Sequence, residues 1–489
     1  MAKNFVVAVE LGSSRISGVA GKKNADGSIS VLALAEEDSS SFIKKGYVYN
    51  LDKTSQAVAR VVGSLSNQLK TQIRKVYVGV GGQSLRGISN TLVQDFSTET
   101  KVTQNMLFDL MDANRALNYP EREILDVAPQ EYRVDSLYQT DPVGIECQRL
   151  EGSFLNVTYR KAFLRSLNNC FASADVRIED IVPSPIALAD VVLTDTERRS
   201  GCVLVDLGAD TTTVAVYYKN ILRHLAVIPI GSRNITNDLT SLEMDENQAE
   251  AMKRKYGVAY TENTDIDLDL RYSIDAERSV DSSLFKEVVE ARLQEIIEKV
   301  KSQIPQAFEH KLMSGYVLTG GGSCMRRIEA AFVKLTGTNK IRTAKSPTSA
   351  ILTKIEKANI SDGLHNTILG ILAKGNENCA GDEFQQGELF PTQQLDEPKA
   401  EPQTNAAADE TPSAPLAAST DSATSNQQPA TNNQQPIEIP EPSMDEATFD
   451  DDTAEDTDDD DDNELRNKTK KKSGFSNFVS FIKKMIEEE

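Results

Sequence analysis

The chain has 489 residues, of which 39% are hydrophobic, and a formal net charge of −21. Residues 381–467 hold 24 acidic and two basic residues, whereas residues 1–380 hold 47 acidic and 45 basic residues, so the composition gives no support for nucleic-acid binding by the folded part. Five scattered cysteines without a CxxC pair disfavour zinc and a disulfide framework and are typical of a reducing cytosol.

The first predicted element is a β-hairpin, FVVAVELGSSRISGVAG, which begins at Phe5. Its apolar run ends at Glu10 and is too short for a signal sequence or a membrane span. Gly12, Ser13 and Ser14 form the turn. Such a turn arranges backbone N–H groups and hydroxyls around an anion, with the acid at the strand end facing the same point. A single copy is also typical of an ordinary β-hairpin.

A second hairpin repeats this pattern. CVLVDLGADTTTVAVYY begins at Cys202 and places Asp206 196 positions after Glu10, so the chain reads as two related halves. Gly208, Thr211 and Thr212 occupy the second turn. Two such hairpins can clamp a polyphosphate. Their carboxylates would hold Mg²⁺ through water, because this small cation keeps several waters and takes only one or two protein carboxylates.

Two further motifs follow. In AEAMKRKYG, residues 249–257, Glu250 and Lys253 share one helical face, which alone is typical of a surface ion pair. In SGYVLTGGGSCMRRIEAAF, a strand at residues 316–318 runs into a glycine turn and then a helix. The turn residues Gly320, Gly321 and Gly322 allow close approach of a flat ligand such as adenosine.

Between these motifs, strand-like runs alternate with helical patterns. KVYVGVGG, residues 75–82, reads as a buried strand, and LFKEVVEARLQEIIEKVKSQI, residues 284–304, reads as an amphipathic helix. The alternation predicts an α/β architecture with mixed sheets.

The C-terminal part has a different composition. Residues 381–467 are too polar and acidic to form a core, so we expect a disordered linker. Lysines at 468 and 470–472 precede an amphipathic helix whose apolar side chains fall within an arc of roughly 160°. This pattern predicts an in-plane anchor on anionic lipid, and a helix packed on a protein surface is the alternative. The apolar residues are Phe475, Phe478, Val479, Phe481, Ile482, Met485 and Ile486.

The two hairpins, the AExxKxxYG segment and the strand-GGG-helix element occur in an order that resembles the actin, sugar-kinase and chaperone ATPase superfamily. Within it the chain resembles the FtsA family of bacterial cell-division proteins, which has Glu in the first hairpin, a segment similar to residues 127–152, and a linker with a terminal amphipathic helix. The resemblance covers residues 4–376 and the terminal helix. It implies an α/β, actin-like two-domain fold with duplicated βαβ-type cores, an inserted α+β subdomain, a disordered acidic linker and a C-terminal amphipathic helix.

The resemblance also implies domain boundaries. They are residues 1–83 and 163–195 for domain 1, 84–162 for the inserted subdomain, 196–380 for domain 2 with an outer subdomain at 231–312, 381–467 for the linker, and 468–489 for the membrane-targeting segment. In the family, the inserted subdomain serves self-association and contacts with other septal proteins. LRGISNTLVQDF in the insert is strand-like, VTQNMLFDLMDANRAL is helical, and two β-like runs follow.

The implied cofactors are ATP and Mg²⁺. Glu10, Gly12, Ser13 and Ser14 would meet phosphate and the Mg²⁺ shell from one side, and Asp206, Gly208, Thr211 and Thr212 from the other; Glu250 and Lys253 would contact ribose or adenine, and Gly320, Gly321 and Gly322 would lie under the nucleoside. One departure is present: Ala209 and Asp210 stand where the family usually shows glycine after DxG. A β-carbon and an extra carboxylate there would weaken or alter ATP binding.

The resemblance implies a partner site as well. In the family, the C-terminal tail of the tubulin-like division protein docks beside an E-x-R motif at a helix start, which Glu290 and Arg292 match. The expected function is an ATP-binding protein, at most a slow ATPase with no identified base. It polymerises on the cytoplasmic side of the inner membrane at the division site and anchors the tubulin-like ring. The alternatives are a pilus-type actin-like adaptor and a sugar or metabolite kinase, although no segment supplies a substrate pocket with a carboxylate base.

Overall fold

The computed structural model describes residues 4–262, 269–348, 351–353 and 363–383. The predicted linker beyond residue 383, the lysine cluster and the predicted terminal helix lie outside the described residues. Within the described ranges, each helix is too short or too polar to cross a lipid bilayer.

The chain begins with an antiparallel meander followed by a long helix. The elements up to residue 80 are β1 (Val6–Leu11), β2 (Arg15–Lys23), β3 (Ile29–Asp38), β4 (Ile43–Lys44), β5 (Tyr47–Val48), α1 (Leu51–Leu69), β6 (Thr71–Ile73) and β7 (Lys75–Val80). Asn50 caps α1 by accepting the Lys53 N–H. The apolar face of α1, which includes Val58 and Leu65, is fully buried, so the helix packs on β2 and β3.

The next segment forms a separate antiparallel sheet with one helix. Its elements are β8 (Arg86–Lys101), α2 (Gln104–Arg115), β9 (Arg122–Val134), β10 (Leu137–Gln139) and β11 (Glu146–Arg160). The strand order is β10-β9-β11-β8. Phe154 and Leu150 lie in a core that belongs to this segment alone. The predicted strand-like and helical stretches of the insert are confirmed.

The chain then returns to the meander. The elements are α3 (Lys161–Ser173), β12 (Arg177–Pro183), α4 (Ser184–Val192) and α5 (Asp195–Ser200). β7 pairs in parallel with β1, and β12 pairs in parallel with β7. The first sheet therefore has the partial order β12-β7-β1-β2-β3.

A second sheet follows with its own helices. The elements are β13 (Cys202–Leu207), β14 (Thr212–Tyr218), β15 (Ile221–Ile228), α6 (Ser232–Leu239), α7 (Glu246–Tyr256), β16 (Arg271–Ser273), β17 (Ser279–Asp281), α8 (Ser282–Ser302), β18 (Tyr316–Thr319), α9 (Ile328–Thr336) and β19 (Ile341–Thr343). Single 3₁₀ turns occupy Thr240–Leu242, Gln306–Lys311 and Gly321–Cys324. Helices α6, α7 and α8 share a small core that contains Leu239 and Phe285.

The two sheets repeat one topology. The order β15-β14-β13-β18-β19 matches β3-β2-β1-β7-β12 strand for strand. In the first hairpin Glu10 lies opposite Ser17, and in the second Asp206 lies opposite Thr213, so the register also repeats with the same offset of 196 residues. The predicted internal repeat is confirmed.

The described residues after 350 return to the first sheet. Their elements are β20 (Ile351–Thr353), α10 (Asn366–Lys374) and β21 (Ala380–Glu383). β20 pairs with β3, α10 packs on α4 and β1, and β21 pairs with β6. The structure thus groups these residues with the first sheet rather than with the second domain predicted for 196–380, and β21 extends past the predicted linker start at residue 381.

One core joins the bases of both sheets. Leu204, Tyr217 and Val317 from the second sheet lie in the same buried cluster as Ala187 of α4 and Leu369 of α10. We call the first sheet with its flanking helices the first half, and the elements from β13 to β19 the second half. The shared core holds the halves together at their bases.

Candidate functional site

The turns of the two hairpins have the same backbone geometry. The Gly12 N–H donates to Arg15 O at 3.1 Å, and the Gly208 N–H donates to Thr211 O at 2.9 Å. A β-carbon on either glycine would lie 2.7 Å from that same carbonyl oxygen. Both turns therefore need glycine for their close backbone approach.

The two acids lie where the strands run into these turns. Burial raises the pKa of Glu10 to about 8, and the nearby Asp206 carboxylate adds to the shift. Burial raises the pKa of Asp206 to about 6. The two carboxylates are therefore close enough for the charge of one to disfavour ionisation of the other. A pair of carboxylates that repel each other favours a cation between them.

This donor set fits Mg²⁺ held through water. The described residues contain no group of three or more His, Cys, Asp or Glu side chains that could enclose a metal. Glu10 and Asp206 offer two carboxylates, which is the number this cation takes when it keeps most of its waters.

The hydroxyl residues of the turns have different surroundings. Ser13 Oγ accepts the Gly46 N–H at 3.0 Å, and the Ser14 side chain is exposed. Thr211 is partly exposed, whereas the fully buried Thr212 donates its hydroxyl to Ile230 O at 2.9 Å. The predicted phosphate contact of Thr212 would require this hydrogen bond to break.

The glycine turn after β18 packs against the second hairpin. Gly320 has φ of +81°, and a β-carbon there would overlap Asp206 Oδ1. A β-carbon on Gly322 would lie 2.9 Å from the Leu207 side chain. A 3₁₀ turn separates Gly320 from α9, so the glycines do not lead directly into a helix. The structure brings the strand-GGG motif and Asp206 together as one surface.

Helix α7 carries Glu250 and Lys253, whose polar groups are used inside the second half. Lys253 donates from Nζ to Thr236 Oγ1 at 2.8 Å and to Ser232 O at 3.0 Å, and it pairs with Glu250 at 2.6 Å. Burial disfavours the ionised form of Glu250, but Lys253, Thr236 and Arg254 outweigh it and hold the pKa at about 2. Burial lowers the pKa of Lys253. These bonds join α6 to α7, and the ribose or adenine contact stays a prediction.

Asp210 does not project an unpaired charge. Its side chain is 9% exposed, Oδ1 lies 2.8 Å from Arg233 Nε in an ion pair that lacks hydrogen-bond geometry, and Oδ2 accepts the Lys45 N–H at 3.0 Å. Arg233 also donates from Nη2 to Ser13 O at 3.0 Å. The sequence reasoning missed Arg233. An acid in place of glycine was the one signal that could have prompted a search for a cationic partner.

A second missed group lies beside Glu10. Arg15 pairs with Glu36 at 3.2 Å and donates to Leu364 O at 3.2 Å. His365 Nε2 lies 3.2 Å from the same Glu36 oxygen. Hydrogen bonding from His365 is the largest influence that lowers the pKa of Glu36, and Arg15 acts in the same direction. The sequence separation of more than 300 residues leaves no local pattern that could reveal this group.

The predicted partner motif lies in the middle of α8, not at a helix start, because α8 begins eight residues before Glu290. Arg292 donates to both carboxylate oxygens of Asp238, at 2.6 and 2.9 Å, and also pairs with Glu295. The bond to Asp238 raises the pKa of Arg292. The Arg292 guanidinium thus already holds a carboxylate in a two-pronged arrangement. Glu290 Oε1 is buried without a hydrogen-bond partner among the described residues.

The chain was compared with known families and structures. The family model for the cell division protein FtsA matches residues 203–366 of this chain. The family model for the SHS2 domain inserted in FtsA matches residues 82–158. A solved structure, a PilM–PilN type IV pilus biogenesis complex, is 16% identical with a TM-score of 0.52, and the match covers 75% of this chain and 97% of that one. The fold and the paired hairpins define an actin-like protein with an inserted domain.

Curated relatives indicate a particular family within this class of proteins. A cell division protein FtsA from Porphyromonas gingivalis is 29% identical over 381 residues, covering 76% of this chain and 78% of the relative. One from Neisseria meningitidis is 29% identical over 334 residues (67% and 80%), and one from Escherichia coli K12 is 26% identical over 344 residues (67% and 81%). Over about two thirds of its length or more, the chain is similar to the FtsA family of cell-division proteins.

Proposed function

We propose that the chain binds ATP with Mg²⁺ between its two halves. The observation that carries this proposal is the repeated hairpin: two turns are closed by the same hydrogen bond, each is preceded by a carboxylate, and the second packs against the glycine turn at Gly320. Backbone N–H groups of the Gly12 and Gly208 turns would bind phosphate oxygens, and the glycine turn would support the nucleoside.

Glu10 and Asp206 would hold the water shell of Mg²⁺, which supplies positive charge against the phosphates. The carboxylates have raised pKa values in this structure. A bound cation favours their ionised forms, so binding should release protons near neutral pH. No residue of the site is assigned as a base for water attack, and nucleotide binding is proposed as structural and regulatory.

Isothermal calorimetry tests the nucleotide site. Asp206→Ala should weaken Mg²⁺-dependent ATP binding by more than about tenfold, because it removes one of two carboxylates at the metal shell. Removing a costly buried carboxylate should leave the chain folded. Asp275→Ala removes an exposed, ion-paired carboxylate in the second half and is the matched control. Equal ATP affinity for wild type and Asp206→Ala would exclude this site.

The proposed cellular role is membership of the division ring at the cytoplasmic face of the inner membrane. The support is the similarity to the FtsA family together with the lysine cluster and the apolar arc centred on Ile482, which lie outside the described residues. In this proposal the chain self-associates into filaments, and many weak membrane anchors add up to firm attachment. The segment at residues 84–162 would contact other septal proteins.

Vesicle flotation tests the anchor. Ile482→Asp places a charge in the apolar arc and should release the chain from anionic vesicles, whereas Ser480→Asp places the same charge on the polar face and should retain most binding. Continued flotation of Ile482→Asp, or a lower melting temperature in that variant, would contradict the anchor.

The tail of a tubulin-like division protein is the proposed partner of Arg292. Since Arg292 already binds Asp238, a tail carboxylate would have to replace Asp238 or Glu295. Arg292→Glu should abolish binding of the tail peptide while ATP binding persists, because it places a negative charge beside two others. Arg271→Glu makes the same charge change at an exposed ion pair and serves as the control. Retained peptide binding by Arg292→Glu would remove Arg292 from the interface.

A further inference from the structure

Two hydrogen bonds cross from the second half to the first beside the phosphate turns. Asp210 Oδ2 accepts the Lys45 N–H at 3.0 Å, and Arg233 Nη2 donates to Ser13 O at 3.0 Å. Asp210 and Arg233 pair with each other at 2.8 Å. Two side chains of the second half, which form an ion pair with each other, are thus hydrogen-bonded to two backbone groups of the first half.

The environment of the pair makes these bonds strong. The side chains of Asp210 and Arg233 are 9% and 22% exposed, so both charges are largely removed from water. Charge-assisted hydrogen bonds in such surroundings are stronger than neutral ones, and separating the partners would leave charges poorly solvated. The pair therefore resists separation of the two halves.

The backbone groups that the pair holds belong to the proposed phosphate site. Ser13 lies in the first phosphate turn, and its Oγ accepts the Gly46 N–H from the β4–β5 turn. Asp210 lies in the second phosphate turn. Both Asp210 and Arg233 also line a cavity of about 550 Å³ whose walls come from both halves, including Lys44 and Asn237. A nucleotide between the turns would be bordered by these bonds.

We propose that Asp210 and Arg233 form a latch that closes the cleft between the halves and slows nucleotide exchange. Asp210, which is expected from the sequence alone to weaken or alter ATP binding, acts instead as a positioning residue. The exchange part of this inference rests on the proposed nucleotide site, whereas the latch itself is a property of the chain without nucleotide.

Hydrogen exchange of the full chain without nucleotide tests the latch. Asp210→Ala removes the acceptor of the Lys45 N–H. Arg233→Met keeps the length of the side chain but loses the ion pair with Asp210, the bond to Ser13 O and a longer 3.7 Å contact with Glu246. Each variant should speed exchange in the peptide covering residues 43–50 by about tenfold or more, while the peptide of buried strand β7 keeps its wild-type rate. The double variant should exchange no faster than the faster single variant, because the two residues form one unit.

Asp210→Asn is nearly isosteric and removes the charge that holds Arg233, but it keeps an amide oxygen that can accept the Lys45 N–H. Asp275→Asn, in an exposed ion pair, is the control. Wild-type exchange at residues 43–50 in either Asp210→Ala or Arg233→Met would overturn the latch, whether or not the chain binds ATP. Faster exchange in β7 as well would show general destabilisation and would also overturn it.

Release of a fluorescent ATP analogue then tests the second part. Dissociation should be about tenfold faster from Asp210→Asn than from wild type and unchanged in Asp275→Asn. Equal dissociation rates would remove the latch from nucleotide exchange. A wild-type chain that binds no nucleotide would refute the proposed site and the exchange role together, while the hydrogen-exchange result would still decide the latch.

Discussion

The two halves repeat one backbone but differ at matching positions. Ile16 and Thr212 hold the same register in their hairpins, yet one is apolar and the other donates a hydrogen bond. β7 continues through Val80, whereas β18 ends at Thr319 and the chain turns at Gly320. The repeat therefore fixes where the strands and the two hairpin turns lie, whereas the divergent positions determine which residues bridge the halves and, in the proposed function, which half would receive the nucleoside.

The largest effect is expected for a substitution at a position where the two halves differ, the glycine turn after β18. Gly320→Ala would place a β-carbon at a positive φ and against Asp206, so we expect unfolding free energy to fall by about 3 kcal/mol or more. Gly337→Ala has φ of +75° but open space around the β-carbon, so it should cost only about 1 kcal/mol. Denaturant unfolding measures both. Equal losses would show that the contact with Asp206 does not constrain the turn.

Glu10 and Asp206 differ in how each is expected to change the free energy of unfolding with pH. Both folded pKa values are raised, so each group favours folding most at low pH, and this contribution is lost as pH rises from about 4 toward 8 for Glu10 and toward 6 for Asp206. Glu10→Gln should therefore gain stability over wild type, up to about 4 kcal/mol at pH 8, because one unit of pKa corresponds to about 1.4 kcal/mol.

Asp206→Asn should reduce the pH dependence of the free energy of unfolding mainly below pH 6. It should also lower the pKa of Glu10, because it removes a neighbouring charge. Unfolding measured across pH 4 to 9 separates the two. A wild-type curve that rises over this range, with no change in either variant, would contradict the raised pKa values of the acids.

Matching substitutions in the two hairpin turns test how far the similarity of the two halves extends. Gly12→Ala and Gly208→Ala each bring a β-carbon to 2.7 Å from the carbonyl that closes the turn, so each should cost about 1 to 3 kcal/mol. The two losses should agree within about 0.5 kcal/mol when measured by denaturant unfolding. A large effect in one turn alone would show that the geometric repeat does not extend to the energetics of the turns.

The smallest expected effect concerns Thr212. Thr212→Val removes the bond to Ile230 O and should cost about 1 kcal/mol. If the hydroxyl serves only this bond, ATP affinity measured by calorimetry should stay at the wild-type value. An affinity loss as large as that of Asp206→Ala would instead place the hydroxyl on phosphate.

Local patterns were enough to predict much of this fold. The buried runs ending at Glu10 and Asp206 each specify a strand, and glycine two residues later specifies the turn, so both hairpins and their repeat could be derived. The predicted amphipathic helix at residues 284–304 became α8, Ser282–Ser302, because its apolar residues recur with helical spacing.

Polar partners that are distant in sequence could not be predicted in the same way. The Asp210 carboxylate finds Lys45 across 165 residues, and Arg292 finds Asp238 across 54, and neither pairing leaves a periodic trace. The same limit applies to α10, whose amphipathic pattern does not specify that it packs on the first half. These features depend on how the halves meet.

The central claim is that the repeated hairpins clamp a nucleotide. A crystal structure of the full chain grown with Mg²⁺ and a non-hydrolysable ATP analogue tests it most directly. The account predicts terminal phosphates between the Gly12 and Gly208 turns and a hydrated metal beside Glu10 and Asp206. A nucleotide bound elsewhere, or a cleft that stays empty at saturating analogue, would contradict it.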